Sequence, residues 1–160
     1  MAKVLGNITF NYLKQSFSLR DRKKIKVYLR KKLNEEGKKI ERINYVFCDD
    51  AYLLEINKQY LNHDTLTDII TFELSADGGA LVSDIYISVE RVKENARLFK
   101  VKFPDELLRV IFHGALHLAG YKDKRKADMS VMRKKEDEWL QQYLVSWSTV
   151  PRETIHFILD

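Results

Sequence analysis

The feature that most constrains this chain is the segment 113–123, where two histidines stand four residues apart in an otherwise apolar stretch. On an α-helix, four residues turn the side-chain direction by about 400°, so His113 and His117 project from one face about one turn apart. Gly120 follows where helices commonly end in a left-handed residue. The pattern predicts an apolar helix that carries two imidazole rings on one face and then turns.

A metal ion is the ligand that this arrangement favours. Asp123 lies just past the predicted turn and can bring a carboxylate to the two imidazoles. Three protein ligands leave one coordination position for water, as in catalytic zinc sites. We therefore predict that His113, His117 and Asp123 bind one divalent ion per chain, zinc or another metal. The alternative is two buried histidines bonded to backbone carbonyls and followed by a solvated loop.

The residue after the first histidine argues against a peptidase. Zinc peptidases of the His-Glu-x-x-His type place a glutamate there as general base, and this chain has Gly114. The substitution removes the proton acceptor but leaves the metal ligands in place. Metal-assisted hydrolysis therefore remains open, whereas proteolysis is not expected.

Composition places the chain among globular proteins. It has 160 residues, of which 45% are hydrophobic and 32% charged, and one cysteine, Cys48, which predicts a buried thiol in a reducing compartment. The first residues lack the apolar run of a secretory signal, and we expect no membrane span and a cytoplasmic location. Lys and Arg number 28 against 23 acidic residues, a net charge of +5 that permits attraction to a polyanion.

Hydrophobic periodicity predicts an α+β fold in one domain over residues 1–160. We expect a small mixed β-sheet, with helices packed mainly on one face and the metal-binding helix in the core. Strands are predicted at 8–13, 40–48, 67–74 and 81–88, with the last two forming an antiparallel hairpin. Helices are predicted at 18–36, 50–60, 89–99, from Pro104 through the histidine pair, and 126–145. The first of these should bury Ile25, Leu29 and Leu33. The last should make apolar contacts through Met129, Met132, Trp139 and Tyr143. A further strand-like segment at 153–159 contains His156, which we expect to be an ordinary half-exposed histidine.

Two further segments, together with the metal segment, resemble one known family. The run HGALHLAGYKD at 113–123 is similar to the metal motif of the YbeY family, bacterial single-domain metal-dependent endoribonucleases implicated in ribosomal RNA maturation and ribosome quality control. Residues 63–72 resemble the family's Lys-Asp-x-Pro-Thr-Asp-Val-Leu-Ser-Phe strand. Residues 83–88 resemble its Gly-Asp-Ile-x-Ile-Ser strand. The order and spacing of the motifs match across most of the chain.

The chain departs from the family pattern at three positions. Asp123 stands where the family usually has a third histidine, and its negative charge should make metal-bound water less acidic. Leu61 follows Tyr60 where many members carry an arginine associated with activity. His63 replaces the family's lysine and, when protonated, can hold a phosphate oxygen.

The resemblance implies a single-strand-specific, metal-dependent endoribonuclease that acts in ribosomal RNA processing. Metal-activated water would attack a phosphodiester, with His63 and Asp68 as catalytic residues; Asp68 can alternatively cap a turn. The implied partners are ribosomal RNA and, beyond it, ribosomal proteins or small-subunit assembly factors. Two other classes stay open, a zinc hydrolase of another substrate and a non-catalytic metal-containing protein that binds RNA or the ribosome. Leu61 is the feature that favours the last class.

Overall fold

The structure is a computed structural model that describes residues 6–13 and 16–148. Within these ranges the chain forms four strands, β1 (Asn7–Tyr12), β2 (Ile40–Cys48), β3 (Ile69–Glu73) and β4 (Leu81–Ser88). They are joined by five helices, α1 (Arg22–Glu35), α2 (Asp50–Leu61), α3 (Val89–Phe99), α4 (Phe103–Leu118) and α5 (Lys126–Ser148). The predicted strand at 153–159 and His156 lie outside the described residues, and the single domain over 1–160 stays a prediction.

The sheet is mixed, as predicted, with the strand order β1-β2-β4-β3. β1 and β4 both pair with β2 in parallel, whereas β3 pairs with β4 antiparallel. β3 is shorter than predicted because regular pairing begins at Ile69, although the Ser88 N–H still donates to the Asp68 carbonyl at 2.9 Å. The hairpin places β3 at one edge of the sheet, with one side unpaired in the described part of the chain.

The main core lies on the face of the sheet covered by α1, α3, α4 and α5. Ile43, Tyr45 and Phe47 of β2 are fully buried there, as their period-two spacing predicts. The Tyr45 hydroxyl donates to the Ile111 carbonyl at 2.8 Å and so ties β2 to α4. Four of the five described helices share this face, which confirms the predicted packing.

In the described part of the chain, α2 alone covers the opposite face, over a small core. Leu53 and Ile56 of that helix pack with Cys48 and Ile70 of the sheet. Burial, with the nearby carboxylates Asp49 and Asp50 adding to it, raises the pKa of the Cys48 thiol to about 12. The thiol is therefore the buried structural group that the sequence predicts.

Helix α4 ends in the turn that the sequence predicts. Gly120 has a φ of 106°, a backbone conformation that residues other than glycine rarely adopt. Its N–H donates to the His117 carbonyl and the Tyr121 N–H donates to the Leu116 carbonyl, both at 3.0 Å, which together form a Schellman motif. This turn reverses the chain and brings Asp123 back toward the helix.

Helix α5 packs beside α4 and runs slightly beyond its predicted end at residue 145. Met132, Trp139 and Tyr143 are buried as predicted. The expectation that Met129 is an apolar contact is wrong, because its side chain is 54% exposed at a surface groove. Within the described ranges, no helix is both long and apolar enough to cross a bilayer.

Candidate metal centre

The three predicted ligands converge on one point. The Nε2 atoms of His113 and His117 lie 3.0 Å apart, and the Asp123 Oδ2 atom lies 3.3 Å and 3.2 Å from them. Helix α4 supplies both imidazoles from one face, and the turn at Gly120 supplies the carboxylate. Among the residues that the structure describes, these three form a group able to hold a metal ion.

The hydrogen bonds on the far side of each ring determine which nitrogen is available to a metal. His113 Nδ1 lies 2.8 Å from a Glu136 carboxylate oxygen, and His117 Nδ1 lies 3.0 Å from the Tyr121 carbonyl. Both partners are acceptors, so each Nδ1 carries the proton and each Nε2 keeps a lone pair. Two lone pairs and a carboxylate oxygen then face one another, an arrangement that a cation stabilises.

The separations between these atoms fit a tetrahedral zinc site. Zinc bonds of about 2.0 to 2.1 Å imply ligand separations of about 3.3 to 3.4 Å, close to the 3.0–3.3 Å between the three atoms. The donor set of two imidazoles and one carboxylate is an ordinary one for zinc. The Asp123 side chain is 39% exposed, so the side of the cluster facing solvent is open.

A buried network holds the first imidazole. Glu136, 3% exposed, accepts from His113 and from Arg109, and the Arg109 guanidinium also donates to both carboxylate oxygens of Glu106. Burial alone raises the pKa of Glu136, but its bonds to His113 and Arg109 outweigh burial and leave that pKa below its ordinary value. Glu136 therefore stays ionised and orients His113.

This network was missed in the sequence, although part of its pattern is visible there. Glu106, Arg109, His113 and His117 recur at intervals of three and four residues and form one polar stripe on an apolar helix. Glu136 gives no such signal, because it belongs to a highly charged stretch of α5. Its burial follows only from the packing of α5 on α4.

The metal cluster opens into a groove of about 900 Å³. His63 and Asp68, the two predicted catalytic residues, line this groove together with the three ligands. Asp68 is half-buried, and its pKa is raised mainly by burial, with Glu106 adding to the effect. His113, Arg109 and a backbone hydrogen bond oppose the shift without cancelling it.

The other positions singled out by the resemblance have different surroundings. Leu61 lines the groove near His63, and both residues are exposed. Thr67 and Thr71 also line it. Asp84 does not, because it lies in the middle of β4 and accepts a hydrogen bond from Arg42 at 2.9 Å.

Gly114 faces the sheet, on the side of α4 away from the groove. A Cβ atom at this position would lie 3.0 Å from a methyl carbon of Ile69 and 3.2 Å from side-chain carbons of Ile85. The missing side chain lets α4 pack closely on β3 and β4. The glutamate of a zinc peptidase would press on these two isoleucine side chains at this position.

Comparison with known proteins agrees with the motifs. A sequence model of the family described as Endoribonuclease YbeY matches residues 7–144. The endoribonuclease YbeY of Flavobacterium psychrophilum is 53% identical over 138 residues, which are 86% of this chain and 97% of that protein. The protein of the same name from Flavobacterium johnsoniae is 49% identical over 138 residues, with 86% and 98% covered.

A solved structure resembles the fold as well. The solution structure of TM1509 from Thermotoga maritima superposes with a TM-score of 0.62 at 27% sequence identity. The match covers 92% of this chain and 95% of that one. The likeness therefore extends over the described strands and helices together.

Proposed function

This chain belongs to the endoribonuclease YbeY family, and from that membership we propose that it is a metal-dependent endoribonuclease whose ion is held by His113, His117 and Asp123. We propose zinc as the ion, one per chain, and single-stranded RNA as the substrate. Ribosomal RNA in maturation and quality control is the physiological substrate that we propose, with ribosomal proteins or small-subunit assembly factors as partners.

One observation carries the metal assignment. Three acceptor atoms lie within 3.3 Å of one another, and both histidines have their other nitrogen bonded to an acceptor. The nearby carboxylates, those of Glu106, Glu136, Asp68 and Asp123, outnumber the one buried guanidinium, that of Arg109. A divalent cation would reduce this excess of negative charge.

The groove residues support hydrolysis of a phosphodiester. A divalent ion held by the three ligands would lower the pKa of bound water toward about 7 and offset negative charge that develops on the phosphoryl oxygens. Asp68 lies in the same groove, and its raised pKa suits a general base better than that of an ordinary aspartate. We propose that Asp68 accepts the proton of the attacking water.

His63 is proposed to contact the substrate phosphate. It is exposed at the groove, and its backbone N–H is fixed by the Asn57 carbonyl at 3.2 Å. A protonated imidazole there would provide positive charge near Leu61, an apolar side chain in the same groove. Since the metal cluster is built from other elements, this contact is expected to affect substrate binding more than metal binding.

The test combines elemental analysis with RNA cleavage. Wild type, His117→Ala and Asp123→Ala would be purified under the same conditions, their metal content measured, and their cleavage of a labelled single-stranded RNA followed. Asp128→Ala is the matched control, because this carboxylate also follows the turn but contacts Arg125 at 3.7 Å instead of the cluster.

We expect about one metal ion per chain in wild type and control, and loss of both metal and cleavage in the two ligand variants. Full metal content in Asp123→Ala would exclude Asp123 as a ligand. Equal cleavage by all four proteins would indicate a contaminating nuclease and leave the enzymatic function unsupported. Wild-type protein that binds RNA and metal but never cleaves would favour a non-catalytic RNA-binding role.

A further inference from the structure

The groove beside the metal cluster has two chemically different walls. Helix α4 forms its floor and packs against β3 on one side and α5 on the other. Residues 67–71 and Glu73 provide one wall, along the outer edge of β3. Lys124 and the first turns of α5, including Arg133, provide the other.

Among the described residues, the β3 wall presents backbone groups without a partner on its outer side. In an antiparallel pair, alternate residues direct both their N–H and C=O toward the partner strand. Leu74 N–H donates to the Val82 carbonyl at 2.7 Å and Asp68 C=O accepts from Ser88, so the even-numbered residues face β4. Ile69, Thr71 and Glu73 therefore direct their backbone groups outward.

Two of these three residues have no described bonding partner on the outer side of β3. The Ile69 carbonyl already accepts from the Thr67 hydroxyl at 3.3 Å. The described part of the chain has no strand on the outer side of β3, and no described group bonds to the backbone of Thr71 or Glu73 there. Two donors and two acceptors thus line the groove in a row.

The α5 wall presents positive charge. Arg109 is not available, because two buried glutamates hold its guanidinium. Arg133 is 55% exposed, and its one described ion pair is a 3.6 Å contact to Glu136, which already accepts from Arg109 and His113. Lys124 is exposed in the groove next to Asp123, with no ion pair among the described residues. Both cations can therefore contact an anionic ligand.

We propose that an RNA strand lies in this groove with its phosphates against Lys124 and Arg133 and its base edges against the free backbone of Thr71 and Glu73. This placement of phosphates and bases on opposite walls rests on the proposed function, since it assumes that RNA is the substrate. The cations match the charge of the phosphates. The backbone N–H and C=O groups match the donors and acceptors of base edges, which a single strand exposes and a duplex has already paired.

The arrangement explains how the groove could select single strands without a basic residue at Leu61. Each backbone contact is available only to an unpaired base, so base pairing would remove that part of the affinity. The phosphate contacts would remain in either case. Loss of the bases should therefore remove the contacts with the β3 wall and leave the phosphate contacts with the α5 wall unchanged.

The experiment measures binding of two fluorescent oligomers by anisotropy, using the protein as purified. One is a single-stranded RNA and the other is an abasic oligomer of equal length that keeps the ribose phosphates. A gel after each reading verifies that the oligomer is intact. Thr71→Pro removes the outward N–H at an edge where the ladder does not need it. Thr71→Val is its control, because both variants lack the hydroxyl and only proline lacks the N–H.

We expect Thr71→Pro to bind RNA about three- to tenfold more weakly than Thr71→Val, with no difference between them on the abasic oligomer. Arg133→Gln and Lys124→Gln should weaken both oligomers. Each should reduce the slope of log affinity against log salt by about 0.7 per lost phosphate contact.

Equal effects of Thr71→Pro on both oligomers, or none on either, would overturn the proposal. So would duplex RNA binding as tightly as the single strand, or displacement of RNA by an extended peptide at comparable concentration. If Thr71→Pro does not fold, Glu73→Pro against Glu73→Gln makes the same comparison. Measuring cleavage with the same samples separates the two proposals. A wild-type protein that binds RNA with phosphates and bases on these two walls but does not cut it contradicts only the proposed function.

Discussion

The floor of the groove and its rim are built in different ways. On the floor, His113 is 18% exposed and Glu136 is nearly fully buried, and each polar atom has a defined partner. At the rim, residues 60–66 are all exposed. The hydrogen bond described for His63 joins its backbone N–H to a backbone carbonyl and leaves the imidazole unfixed. The difference indicates that the predicted metal ligands are preorganised, whereas the proposed substrate contacts can adapt.

The largest effect should come from a substitution under the floor. Gly114→Glu would create the His-Glu-x-x-His pattern, but the new side chain would meet Ile69 and Ile85. We expect it to lower the free energy of unfolding by more than about 3 kcal/mol, because it overpacks the core and buries an unpaired carboxylate. Urea denaturation measures this change, and Gly114→Ala isolates the contribution of Cβ. A stable variant with peptidase activity would contradict our account of the floor.

The second effect tests the buried network. Glu136→Ala removes the acceptor of both His113 and Arg109 and leaves a buried guanidinium with one partner fewer. We expect a loss of about 3 kcal/mol in unfolding free energy and a 10- to 100-fold loss in metal affinity. Glu138→Ala is the matched control, since that residue forms a surface ion pair with Lys135. Equal effects at the two positions would mean that the floor is not preorganised.

Asp68 lines the groove and is half-buried, between the buried floor and the exposed rim. Its pKa is raised mainly by burial, with Glu106 adding to the effect and His113 and Arg109 opposing it. We expect Asp68→Asn to lower the cleavage rate about 100-fold and to remove the acid limb of the pH–rate profile. A profile that keeps this limb would exclude Asp68 as the base.

The same shift makes a prediction about stability. A carboxyl whose pKa is higher in the folded state stabilises the fold when protonated, and that contribution is lost as the pH rises through the folded pKa. The stability of Asp68→Asn relative to wild type should therefore increase as the pH rises above about 4. Thermal unfolding measured over a pH series checks the sign without relying on activity.

The smallest effect should occur at the rim. His63→Ala should change the unfolding free energy by less than about 0.5 kcal/mol, because the side chain is exposed. Cleavage should become about three- to tenfold weaker through KM, from loss of a phosphate contact. His63→Lys, which keeps a cationic side chain at this position, should retain cleavage. A large loss of stability or of bound metal in His63→Ala would show that His63 belongs to the preorganised metal cluster and not to the exposed rim.

The sequence predicted much of the fold because the governing patterns are local. The period-two burial of Ile43, Tyr45 and Phe47 defines a half-buried strand wherever that strand is placed. Ile25, Leu29 and Leu33 likewise define the buried stripe of α1, and all three are buried. Met129 was assigned wrongly because helical spacing identifies a face without showing whether a neighbouring element covers it.

The convergence of the three predicted metal ligands has the same local origin. His113 and His117 are brought together by the pitch of one helix, and Gly120 returns Asp123 to them within a few residues, so their convergence needs no distant contact. The partnership of Glu136 with His113, the pairing of Arg109 with two glutamates, and the position of the β3 edge along α4 depend on how separate elements pack. Helical geometry brings the three predicted ligands together at short range. The contacts between separate elements are decided by close packing of their side chains, which no spacing along the chain encodes.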